Sequence, residues 1–173
     1  MKKDNLKSII VLSSICLVVA ILMAAVNFIT DPVIKENDDK KVQDSLKAVM
    51  PEAESFTEIT LPAEAPKTVK SVYRDNNNTG YAVAVSTESS YSSNPMTFTV
   101  AVGADGKIID VLLTGYSETK DFGKDTYPKT YIGADGDTIG TIDLKSGVTY
   151  SSTAFRDAMA DVFTTLEMIG GEK

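Results

Sequence analysis

The stretch Asp143-Leu144-Lys145-Ser146-Gly147-Val148-Thr149 runs directly into Tyr150-Ser151-Ser152 and then into an apolar stripe. The stripe is Ala154, Phe155, Ala158, Met159, Val162, Phe163 and Leu166, with Arg156, Asp157 and Asp161 off it. That is the spacing of an amphipathic helix. Gly147 lets the backbone turn without a Cβ clash. Ser146, Thr149, Ser151 and Ser152 then set four hydroxyls around the mouth of the helix. Two readings of those hydroxyls are open. Free backbone N–H groups and the positive end of the helix dipole favour a phosphate at such a place. The plainer reading is capping, with Ser151 or Ser152 as N-cap.

Moving back along the chain, residues 114–141 show little regular pattern and are punctuated by Gly115, Gly123, Pro128, Gly133, Gly136 and Gly140. Loop-rich segments beside a sheet are where sites are often built. Before them come four strand signals, at 68–74, 81–86, 96–102 and 107–113. Asp75-Asn76-Asn77-Asn78-Thr79-Gly80 is a turn by composition, and Gly103-Ala104-Asp105-Gly106 is a hairpin signal. An antiparallel sheet is expected, interrupted by a polar, Ser-rich loop at 87–95. Residues 52–67, with Pro62 and Pro66, read as an irregular connector. Residues 33–49 read as a helix, with Val42, Leu46 and Val49 on one side and Pro51 as its stop. The expected class is α+β.

Residues 8–30 hold no charged side chain and are mostly Ile, Val, Leu, Ala or Met. A helix of that length spans roughly 35 Å, enough to cross a hydrocarbon core of about 30 Å. The competing interpretation is a cleaved signal peptide. Its apolar region is usually ~7–15 residues long and ends at a small-x-small site. This run is longer and ends in Asn27-Phe28-Ile29-Thr30-Asp31-Pro32, so a retained membrane helix is expected. Lys2, Lys3 and Lys7 precede it, which places the N-terminus on the cytoplasmic side and the rest of the chain outside.

Three of the 17 basic residues and one of the 24 acidic ones precede residue 31, leaving residues 31–173 with a net charge of −9. An acidic domain argues against nucleic acid and against docking flat on anionic lipid. There is no histidine, and the one cysteine, Cys16, lies within the apolar run. The outer part therefore has no disulfide, c-type haem, cysteine-ligated cluster, ordinary zinc site or His-dependent nucleophile. No metal site and no catalytic side chain is expected. Redox work in such a chain needs an organic cofactor.

The segment Asp-x-x-Ser-Gly-Val-Thr resembles the flavin-attachment motif of FMN-binding domains. These occur in the G-type component of Rnf complexes and the C-type component of the sodium-pumping NADH:quinone reductase. The resemblance implies that FMN is joined through its phosphate to Thr149, with Asp143, Ser146, Gly147 and Val148 as recognition residues. A flavin transferase would install it. Tyr116-Ser117-Glu118-Thr119-Lys120-Asp121-Phe122-Gly123 is similar to a second segment of the same families, which lies by the flavin. Glu118, Thr119 and Gly123 match it; Tyr116, Lys120 and Asp121 depart from it. Tyr116 and Tyr150 flank the two segments and are candidate flavin contacts. Lys120 would place a positive charge near the flavin or its phosphate. Val49-Met50-Pro51-Glu52-Ala53, Gly80-Tyr81 and Asp105-Gly106-Lys107-Ile108 agree more loosely.

The organisation this implies is a cytoplasmic tail at 1–7 and a transmembrane helix at 8–30. A juxtamembrane helix and connector follow at 31–67, then an extracytoplasmic FMN-binding domain at 68–173. The implied function is that of a G-type electron-carrying subunit in an Rnf ferredoxin:NAD oxidoreductase coupled to Na⁺ or H⁺ movement in the cytoplasmic membrane. Its partners would be the other membrane subunits. The quinone-reductase C-type component is usually larger, and a stand-alone tethered flavoprotein is a further alternative. A non-redox anchored binding module belongs to a different class. No Gly-x-Gly-x-x-Gly fingerprint is present, so NAD itself is not expected to bind here.

Overall fold

The structure is a computed structural model. It describes residues 2–89, 94–118, 120–123 and 125–170, with the backbone alone for 2–6, 8 and 32–39. Thr119, expected near the flavin, and Tyr91 in the Ser-rich loop lie outside the described residues. The chain divides into two compact units, Met1–Lys41 and Val42–Lys173.

The first unit is helical and belongs to α1 (Lys2–Val49). Within it Ile9–Asp31 is long and apolar enough to cross a membrane, and none of it is buried by protein. Ser14 and Thr30 turn their hydroxyls back to the carbonyls of Ile10 and Val26, which satisfies them within the helix.

The second unit is built on a five-stranded antiparallel sheet: β1 (Phe56–Ile59), β2 (Val69–Asp75), β3 (Gly80–Thr87), β4 (Met96–Gly103) and β5 (Ile108–Gly115). The strands lie in sequence order, each paired with the next. β3 and β4 pair over eight residues, from Gly80 opposite Gly103 to Thr87 opposite Met96. Both are interior strands and are buried along most of their length. The four expected strands are present, joined by the expected turns. In the β4–β5 turn the Asp105 carboxylate accepts the Lys107 N–H at 3.1 Å, and Gly106 N–H donates to the Gly103 carbonyl at 2.9 Å.

The connector at 52–67 is less irregular than its composition implies, since it contains β1. This short edge strand is half-exposed and pairs on one side only, so it carries little alternation. Asn76 holds its entry: the side-chain amide donates to Ser55 Oγ at 2.7 Å and the amide oxygen accepts from Thr57 at 2.6 Å.

α2 (Thr149–Met168) covers one sheet face. Phe155, Ala158, Met159, Val162, Phe163 and Leu166 pack on Val72, Val83, Phe98, Val100, Val102 and Val111. Thr68 ties β2 to α2 by donating to the Asp161 carboxylate at 2.6 Å. On the other face, Leu46, Val49, Met50 and Ala53, at and just past the end of α1, sit on Ala82 and Ala101. The segment between β5 and α2 is mostly irregular, as expected, with 3₁₀ turns at Pro128–Tyr131 and Ile139–Thr141.

Candidate functional site

Two segments that are far apart in sequence meet at the start of α2. Thr149 is the first residue of the helix, and Val148 before it is 8% exposed and joins the main core. Burying Val148 fixes the chain and leaves its neighbours Gly147, Thr149 and Tyr150 at the surface. Gly147 has φ +85°, the left-handed region, and a Cβ there would meet nothing within 4 Å. A side chain at that position is disfavoured by backbone strain, not by crowding, and the approach to Thr149 is open.

The N-cap position is Val148, with no side-chain cap. The expectation that Ser151 or Ser152 caps the helix is corrected: both lie inside its first turn. Ser152 Oγ bonds back to the Val148 carbonyl at 3.0 Å. Ser151 turns away to donate to the Glu118 carboxylate. The first helical amide to find a partner is that of Ser152, which donates to the Val148 carbonyl at 2.9 Å. The amides of 149–151 are the unpartnered donors that every helix start presents.

Glu118 is where the second segment enters. One carboxylate oxygen accepts from Ser89 Oγ at 2.5 Å, and the other from Ser151 and from Tyr116 Oη at 3.2 Å. Tyr116 Oη is also 2.9 Å from the Lys120 carbonyl, so its single proton is shared between two acceptors. Burial, and then the neighbouring Glu118 charge, push the Tyr116 hydroxyl up to about 12. It remains a neutral donor at any physiological pH. Behind it, Phe122 is fully buried, 5.2 Å from the Tyr116 ring and 5.4 Å from that of Phe155. The site rim is thus anchored in the aromatic core.

A cavity of about 250 Å³ is lined by Glu118, Lys120, Gly147, Val148, Thr149, Tyr150 and Ser151. A second, of about 410 Å³, shares Glu118 and Lys120 and extends over Leu113, Thr114, Gly115, Tyr116 and Asp121. Of the residues singled out from sequence, Glu118, Tyr116, Gly147, Val148, Thr149 and Tyr150 meet here. Asp143 and Ser146 line neither cavity. Asp143 contributes through its backbone, whose carbonyl accepts from Tyr127 Oη at 3.3 Å. Ser89 was missed: it belongs to a Ser-rich loop in which no single serine stands out. Phe122 and the partnership of Ser151 with Glu118 were also missed, because neither has a local sequence signal.

The Gly123 backbone, at φ +69°, lies under Lys145: a Cβ there would come within 2.3 Å of the Lys145 ammonium. Gly123 therefore allows the two matched segments to touch. Among the described residues no cluster of His, Cys, Asp and Glu is arranged to hold a metal.

The arrangement suits a phosphate-bearing aromatic ligand. It offers an exposed hydroxyl at a helix start, unpartnered amides, one lysine, and a neighbouring groove floored by Leu113, Gly115 and Tyr116. Residues 91–164 match the family model described as the FMN-binding domain. The chain is also 25% identical, over 135 residues, to the G-type component of the proton-translocating ferredoxin:NAD(+) oxidoreductase complex of Clostridium ljungdahlii. That alignment covers 76% of this chain and 70% of the relative. The matched stretch holds β4, β5, every residue that lines the two cavities and most of α2.

Proposed function

We propose that this protein is the flavin-carrying G-type subunit of a membrane-bound ferredoxin:NAD oxidoreductase complex coupled to Na⁺ or H⁺ movement, with FMN joined through its phosphate to Thr149. The observation that carries this reading is the meeting of an exposed Thr149 at the start of α2 with Glu118 and Ser151 in one cavity, with Tyr116 bonded to Glu118 from the adjoining one. The similarity to a component of a ferredoxin:NAD(+) oxidoreductase supports the assignment of the complex. The apolar helix Ile9–Asp31 supports single-pass anchoring, with residues 42–173 outside the cytoplasm.

The protein's part is binding and orientation. Thr149 Oγ1 is the attachment atom, and the free amides of 149–151 at the same helix start favour negative charge there. The Glu118 carboxylate holds Ser151, and through it the first turn of α2, against the 116–123 segment. Tyr116 stays protonated and is available to donate. When bound, FMN supplies one- and two-electron transfer, for which no side chain of this protein is suited. A phosphodiester removes the dissociation equilibrium, which matters for a cofactor outside the cell. Other membrane subunits are the electron partners, and a flavin transferase is the maturation partner.

The test is intact mass of the full-length protein coexpressed with a flavin transferase, beside Thr149→Ala. The native protein is expected to gain one FMN less one water and to fluoresce in a denaturing gel under ultraviolet light. Thr149→Ala is expected to do neither. A native protein of unmodified mass under those conditions sinks the proposal.

A further inference from the structure

Glu118 and Lys120 line one cavity together with Thr149, yet they do not pair. Both Glu118 oxygens are occupied by hydroxyls, those of Ser89, Ser151 and Tyr116. Lys120 engages through its backbone carbonyl, which accepts from Tyr116. Among the described residues its ammonium forms no ion pair, although a carboxylate stands across the same cavity. The hydroxyl network satisfies Glu118 without drawing in the lysine.

We propose that Lys120 is the charge partner of the phosphodiester on Thr149, an assignment that rests on the reading of Thr149 as the FMN attachment residue. A phosphodiester carries one negative charge at neutral pH. Joined to Thr149, it stands in the cavity that already holds the Glu118 carboxylate. Like charges in a partly enclosed site repel, and three backbone amides offer only partial compensation. Lys120 lines that cavity as well as the adjoining one, and it brings a full positive charge. Lys145 does not substitute, since its ammonium lies over Gly123 and lines neither cavity.

The experiment compares full-length wild type, Lys120→Gln and Lys120→Arg in detergent, each made with and without a flavin transferase. Melting temperature is measured for both forms, and the ³¹P shift of the phosphodiester for the flavinylated one. Lys120→Gln is expected to lower the melting temperature of the flavinylated form by about 1–4 °C and to leave the unmodified form unchanged. Its ³¹P signal is expected to move, and Lys120→Arg to restore both readouts. Raising salt from about 0.01 M to about 1 M shrinks the Debye length from roughly 30 Å to roughly 3 Å and is expected to erase the difference. If Lys120→Gln escapes flavinylation while Lys120→Arg accepts it, the charge role is again supported. Equal shifts in both forms, or none in either, overturn the assignment of Lys120 while leaving the tether intact. A wild type that carries no flavin overturns both.

Discussion

The two faces of the sheet are packed with side chains of different size. Toward α2 they present Val72, Val83, Val85, Phe98, Val100 and Val102, and the helix answers with Phe155, Met159 and Phe163. Phe155 alone lies within ring contact of Phe98, Phe122, Tyr127 and Tyr131, at 4.5–6.0 Å. Toward residues 42–53 the same strands present Ala82 and Ala101, with Thr99 donating to Ser45 at 2.9 Å. Large interlocking rings give the first face bulk and fix the site rim through Phe122. Small residues on the second leave room for the side chains of Leu46, Val49 and Met50 and tolerate one buried hydroxyl pair. Strand alternation sends consecutive residues to opposite jobs.

This contrast can be broken most sharply at Phe155. Phe155→Ala, in detergent, is expected to cost about 3–5 kcal/mol in urea unfolding, because the rings around it cannot all collapse into the space. Ala101→Leu tests the other face by overfilling it, and is expected to cost about 1–3 kcal/mol. A neutral Ala101→Leu would mean that the second face is loosely packed, and the contrast would fail. The smallest effect lies at the site edge. Tyr116 is neutral in the fold to about 12, against an ordinary value of 10.0. The folded state therefore holds the proton more tightly, and stability is expected to fall as pH rises from about 10 to about 12. Tyr116→Phe is expected to flatten part of that slope in melting temperature against pH. Part remains, because burial pushes Tyr131 upward as well.

Where periodicity existed, the fold was legible. β2 to β5 carry alternation enough to locate them to within a residue or two, and the apolar stripe of α2 marks which face it buries. β1 escaped because Phe56-Thr57-Glu58-Ile59 is an edge with half-exposed ends and no buried face. The capping serines set the helix start three or four residues late, since a serine near a helix mouth is ordinarily a cap. Ser151 is instead recruited by Glu118, 33 residues earlier, and a contact of that range leaves no local trace. Thr149, Gly147 and Glu118, singled out through the matched segments, line one cavity. Asp143 and Ser146 were singled out by the same motif, yet neither reaches a cavity, because the turn at Gly147 lies between them and the helix start.

Val148 is locked in the core and Thr149 is the next residue, at the rigid end of a twenty-residue helix. Any prosthetic group bonded to that oxygen has a stationary pivot and a β-branched side chain as its only joint to the protein. On the proposed attachment at Thr149, the anchor point of the electron path is set by α2 and not by a loop.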